Sequence, residues 1–315
     1  MWNRKLRYRS VQNVVDEIER DYNVHDVKEY HFYDDDFLVN KTFIREFGRE
    51  ILRRGLEIKF CCLSTCKSFL NLESDDIILL KEAGLSLIEL GIESLIPEVL
   101  LYLGKTYTIN ELNDLVERLN KYEINAHPLL MYMVPEETLS GHIFQAELFK
   151  KLFGSLDYIN SEWKIDNYLF LNYAAAYTPL PGTRFLKEVN DYGILLTDDW
   201  NHFNTEKIVF IPHSLLNDIP VKASDTLDVG GCMVQLKNVA NRILLKNAED
   251  LVPNFVENLW KAIDGKRSIK AITGILCNQF ESVMKREDCL AFTVSEILAL
   301  TLNKSLIPFR KEFIV

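Results

Sequence analysis

The chain has 315 residues, 48% of them hydrophobic and 26% charged, with a formal net charge of −10. That length suits one large domain or a large one with a small one, and the acidic balance speaks against non-specific nucleic-acid binding, which needs a basic surface. No apolar run has membrane-spanning length, and the charged start MWNRKLRYRS has no apolar stretch behind it to make a secretory signal, so the scattered cysteines read as reduced thiols of a cytoplasmic protein.

From about residue 10 to 190, helix-like and strand-like segments alternate. SVQNVVDEIERD (10–21) places Val11, Val14, Val15 and Ile18 on one helical face, with Ser10 as N-cap. VKEYHFY (27–33) reads as a strand. KTFIREFGREILRRG (41–55) is a helix with Ile44, Phe47, Ile51 and Leu52 inward, stopped by Gly55. Strands at 56–64, 85–93, 124–134 and 163–173 follow, with helices at 74–84, 108–123 and 137–154 between them. The gaps are long enough for parallel crossovers, so the first two hundred residues are expected to form an α/β architecture of five parallel strands. Residues 191–235 read as a long irregular connection. Short strands at 230–246 and helices at 249–263, 268–280 and 286–303 then suggest a separate small module rich in helix.

In a parallel β/α fold, chemistry gathers at the C-terminal ends of the strands. Asp34, Asp35 and Asp36 fall at one such end, Glu93 at another, and Glu137 after the strand at 124–134. Singly, such residues are helix caps or solvated loop charges. Several on neighbouring strands can converge on amino groups, ribose hydroxyls or a hard cation. CCLSTC (61–66) lacks the second close cysteine pair of a structural zinc site and reads as core thiols at a strand end. His31 and His127 sit inside strands, as pocket-lining or satisfied histidines. Neither a G-x-x-x-x-G-K-[ST] nor a G-x-G-x-x-G phosphate loop occurs.

Taken in order, RYRSVQNVVDEIE (7–19), EYHFYDDDFLVN (29–40), ILRRGLEIKFCCLS (51–64), LKEAGLSLIELGIES (80–94), VPEET (134–138) and YTPLPGTRF (177–185) resemble the core of radical S-adenosylmethionine (SAM) enzymes, in particular the group often fused to a cobalamin-binding domain. The resemblance covers about residues 3–200. It implies an incomplete (β/α) partial barrel in which Asp34 and Asp35 face the methionine moiety of SAM and Glu93 its ribose hydroxyls; Asp36, by contrast, reads simply as a cap of the following helix. Two departures stand out. The family's C-x3-C-x2-C motif, which ligates a [4Fe–4S] cluster, does not occur in this sequence, so the chain is expected to be a fragment or a degenerate relative. Where the family has glycines in GxPGET, Met133 and Glu136 stand here.

Residues 236–308 resemble PqqD-type peptide-recognition modules, carried by LWKAIDGKRSIKAI (259–272), which implies a winged-helix-like module binding a precursor peptide as an added strand. The domains expected are thus 1–200, a linker or extension at 201–235, and 236–315. The function implied is radical SAM-related modification of a ribosomal peptide, with the radical chemistry needing a missing cluster-bearing portion, such as a partner chain; the open sheet edge is expected to be covered by residues 1–10, a partner chain or self-association. The alternatives are a non-catalytic scaffold that presents a peptide and, with less support, metal-assisted hydrolysis on the aspartates. No metal ligand, nucleic acid or membrane is expected.

Overall fold

The computed structural model describes residues 7–154, 174–203, 208–222, 248–302 and 306–308. The strand expected at 163–173, the strands expected at 230–246, and residues 1–6 of the segment expected to cover the sheet edge lie outside the described residues.

The opening helix α1 (Val11–His25) begins where the sequence says: the Ser10 hydroxyl accepts a hydrogen bond from Asn13 N–H, and Val11, Val15 and Ile18 are buried. Strand β1 (Glu29–Phe32) and helix α2 (Lys41–Arg53) follow. Helix α2 buries Ile44, Phe47 and Ile51, but Leu52 is 41% exposed, because the inward stripe drifts off that position within a turn. Strand β2 (Lys59–Thr65) runs into the short helix α3 (Cys66–Leu70), and α4 (Ser74–Glu82) leads to β3 (Leu85–Glu93). Gly84 makes that entry: at φ +108°, a Cβ there would meet Ile58 O at 2.1 Å. Helices α5 (Pro97–Leu103) and α6 (Ile109–Lys121), strand β4 (Asn125–Tyr132), helix α7 (Leu139–Phe153) and strand β5 (Ala174–Ala176) complete the alternation.

The five strands form one sheet in the order β1-β2-β3-β4-β5. Parallel pairing sets His31 beside Cys61, Leu63 beside Glu89, and Leu130 beside Ala174. This is the α/β class expected, with five strands in one sheet joined through helices. One sheet face is sealed: Phe60, Cys62, Ser64, Ile88, Leu90, Ile92, Ala126 and Leu130 are buried. Under β1 and β2, Phe47 meets Phe32, Phe37 and Phe60 edge-on at 5.5, 5.7 and 5.6 Å between ring centroids. Each such ring contributes about 1.5–3 kcal/mol by burial and roughly 0.5–1.5 more by edge-to-face contact.

The chain divides into two compact units. One comprises Met1–Ile92, Tyr107–Leu129 and Ser155–Trp163; the other comprises Glu93–Thr106, Leu130–Gly154 and Lys164–Val315. In the second unit lie the short helices α8 (Arg184–Lys187) and α9 (Val189–Tyr192), strands β6 (Gly193–Leu195) and β7 (Phe210–Pro212), helix α10 (His213–Leu216) and strand β8 (Pro220–Lys222). The connection expected to be irregular therefore holds structure, since β6 pairs antiparallel with β7. Three-residue strands are too short to show a sequence period. Helices α11 (Ala248–Ala262), α12 (Ile269–Phe280) and α13 (Arg286–Leu302) match the three helical patterns, and β9 (Leu306–Pro308) pairs antiparallel with β8.

Candidate functional site

Side chains alternate across a strand, so sealing one sheet face leaves the other half-open. That second face carries His31, Cys61, Leu63, Leu87, Glu89, His127 and Leu129 within the first unit. A carboxylate in the middle of such a row is out of place unless it is partnered. Glu89 is: its Oε2 lies 3.1 Å from His31 Nε2, and its Oε1 lies 3.8 Å from His127 Nδ1. His31 reaches across β2 to do this, while its ring stacks on Tyr33 at 4.0 Å. Burial holds His127 below the usual histidine range, against the opposing pull of Glu89. Burial first, and then the charge of Glu89, push the Cys61 thiol up. Glu89 was not among the sequence candidates. The signal was present in LIELGI, an acid inside an apolar run, but its partners come from strands 58 residues before and 38 after.

The acidic run after β1 separates into two roles. Asp34 and Asp35 are exposed at the C-terminal end of the strand. Asp36 does not cap the short 3-10 turn Phe37–Val39 with its side chain, contrary to expectation. It turns back and accepts hydrogen bonds from Ser64 Oγ at 2.8 Å, Thr65 Oγ1 at 2.9 Å and Ser68 Oγ at 2.7 Å. Three hydroxyl donors, two at the end of β2 and one on α3, outcompete a single backbone N–H, and they fix the loop that carries Asp34 and Asp35.

Glu93 ends β3 with a left-handed backbone (φ 67°) and accepts from Lys105 Nζ at 3.2 Å. Glu137 is fully buried rather than aimed at a ligand. Its Oε2 accepts from Met133 N–H at 2.7 Å and lies 3.0 Å from His142 Nε2. It thereby clamps the turn after β4, where Met133 (φ 62°) and Glu136 (φ 73°) keep the left-handed conformation natural to glycine. The side chains thus change at the two glycine places while the backbone shape is that of glycine.

Cys61 and Cys62 do not together suit an iron–sulfur cluster. Cys61 and Cys62 are neighbours on one strand and so point to opposite faces, and burial holds the Cys62 thiol well above its ordinary range, whereas a cluster ligand must be a thiolate. Cys277 and Cys289 lie in α12 and α13. Cys232 lies outside the described residues. Among the described residues, no three His, Cys, Asp or Glu side chains are grouped to hold a metal ion, and no helix is long and apolar enough to cross a membrane.

The arrangement is that of an α/β protein whose sheet has acidic strand ends and a half-open polar face. Residues 1–143 match the family model described as "Radical SAM superfamily", a little under half of the chain. An uncharacterized methyltransferase of Pyrococcus horikoshii is 27% identical over 205 residues, which are 65% of this chain and 40% of that protein. The chain therefore spans less than half of that relative's length. The radical S-adenosylmethionine methyltransferase TsrM from Kitasatospora setae aligns at 21% identity and a TM-score of 0.40, over 46% of this chain and 29% of its own. The cobalamin-dependent S-adenosylmethionine radical enzyme OxsB aligns at 15% identity and a TM-score of 0.47, over 97% of this chain and 56% of its own.

Proposed function

We propose that this chain is the SAM-holding part of a radical SAM enzyme of the methyl-transferring kind that acts on a peptide. The observation that carries the reading is the radical SAM match over residues 1–143, a stretch which contains Asp34, Asp35, Glu93 and the left-handed turn after β4. Exposed carboxylates suit the ammonium of a methionine moiety, and a carboxylate at the end of β3 suits a pair of ribose hydroxyls, through charge-assisted hydrogen bonds. Lys105 holds Glu93 until the ribose replaces it. Methyl transfer is supported by the name of the Pyrococcus relative. The peptide substrate is supported by the resemblance of residues 236–308 to peptide-recognition modules; there the edge of the β8–β9 pair offers backbone groups to a further strand. No radical step is assigned to the described residues of this chain; a cluster-bearing partner chain would supply the cluster.

A second reading, a scaffold that presents a peptide without chemistry, is favoured by the Glu93–Lys105 ion pair, which already occupies the carboxylate meant for ribose. Calorimetric titration with SAM separates the two. On the first reading SAM binds, Asp34→Asn, Asp35→Asn and Glu93→Gln each weaken it by roughly tenfold, and Lys105→Ala does not. Absence of heat with SAM, together with binding of a precursor peptide, would establish the scaffold instead.

A further inference from the structure

We propose that the His31–Glu89–His127 bridge anchors a protonated nitrogen of the substrate, a ligand of the alkylammonium class. Strands β1, β3 and β4 each deliver one side chain to the same half-open face, and these side chains are 28%, 20% and 28% exposed, within reach of a ligand. A carboxylate only accepts hydrogen bonds, so the His31 ring must direct an N–H to Oε2 at 3.1 Å. Oε1 stands 3.8 Å from His127 Nδ1, an ion-pair distance rather than a hydrogen bond, and keeps capacity to accept from a ligand. Around Glu89 the face is short of positive charge. Burial keeps the His127 ring neutral near neutral pH, and the Cys61 thiol stays protonated. Asp34 and Asp36 join Glu89 in the negative field felt at Cys62. The Tyr33 ring, 79% exposed and stacked on His31, adds a π-face of the kind that attracts cations.

As the seat of the substrate, this site rests on the reading above; as a cation site, it does not. The test therefore uses benzylammonium chloride on the full chain without SAM, with benzyl alcohol as the neutral analogue, followed through the histidine-ring signals by NMR. At about pH 7.5, benzylammonium should shift the His31 and His127 signals saturably, and benzyl alcohol should bind roughly tenfold more weakly. Glu89→Gln should weaken benzylammonium by a similar factor. His31→Gln, at a half-exposed position, serves if the Glu89 variant does not fold. Equal response to the alcohol, no saturable shift, or unchanged binding in both variants would overturn the proposal. Benzylammonium binding with no heat from SAM would sink the SAM reading alone.

Discussion

In the first unit, buried charge is paired across long stretches of sequence. Asp76, 4% exposed, takes two hydrogen bonds from Arg45, and Asp36 gathers three hydroxyls. Helices α11–α13 handle buried polarity locally. Thr273, Thr293, Ser295 and Thr301 each donate to the carbonyl four residues back, at 2.7–2.8 Å. Glu296, in the middle of α13, is buried with no hydrogen-bond partner for its Oε1 among the described residues. Paired charges tie distant segments together and so specify the fold; local hydroxyl bonds merely make polarity tolerable, and a lone carboxyl survives by staying protonated.

The comparison is tested most severely by emptying each core. Phe47→Ala in the first unit and Phe255→Ala, whose ring packs tilted against Phe280 and edge-on against Phe292, should each cost about 3–5 kcal/mol. In scanning calorimetry the two variants are expected to lower different transitions. A single transition moved equally by both would erase the distinction between the regions.

Asp76→Ala comes next, at about 2–4 kcal/mol, less than a fully buried pair because Arg45 is 35% exposed. It removes the bidentate Arg45 contact and one half of the α4 capping box, in which Glu73 N–H donates to Asp76 at 3.1 Å. The Arg45 hydrogen bond holds the Asp76 carboxyl below its ordinary 3.8, against the opposing effect of burial. Its stabilisation is therefore present above that value and is lost as pH falls through the lower, folded value. Urea midpoints of the wild type and Asp76→Asn should converge on acidification; a gap unchanged at low pH would show that the pair carries no such weight.

Glu296→Gln should have the smallest effect and the opposite sign, a gain in stability at neutral pH. Burial pushes this carboxyl well above the ordinary 4.5, so the folded chain holds a proton that the unfolded chain releases above 4.5. Stability then falls as pH rises from that point, and the glutamine escapes the loss. Thermal midpoints should separate above about pH 4.5 and coincide below it. A destabilised glutamine variant would mean that the carboxylate form has a partner after all.

Much of the architecture was legible because periodicity is a local signal. The apolar stripes of α1 and α2, the Ser10 cap and the run at 85–93 each lie within one short window. The three C-terminal helices were legible for the same reason. What escaped was short or non-local. The three-residue strands β6 and β7 have no period to read. Asp36 looked like a cap until the end of β2 offered it three hydroxyls. Glu137 looked like a ligand until Met133 and His142 claimed it.

By itself the sequence determined that strands and helices alternate, which strand ends carry acid, and which resemblance those pieces have, since all of these follow from residue type and spacing. Only the tertiary structure decided that Glu89 lies between His31 and His127, and that Met133 and Glu136 take a glycine's conformation. The physical reason is that register between strands far apart in sequence is set by packing the sealed face. The side chains on the opposite face meet as a consequence that no local pattern encodes.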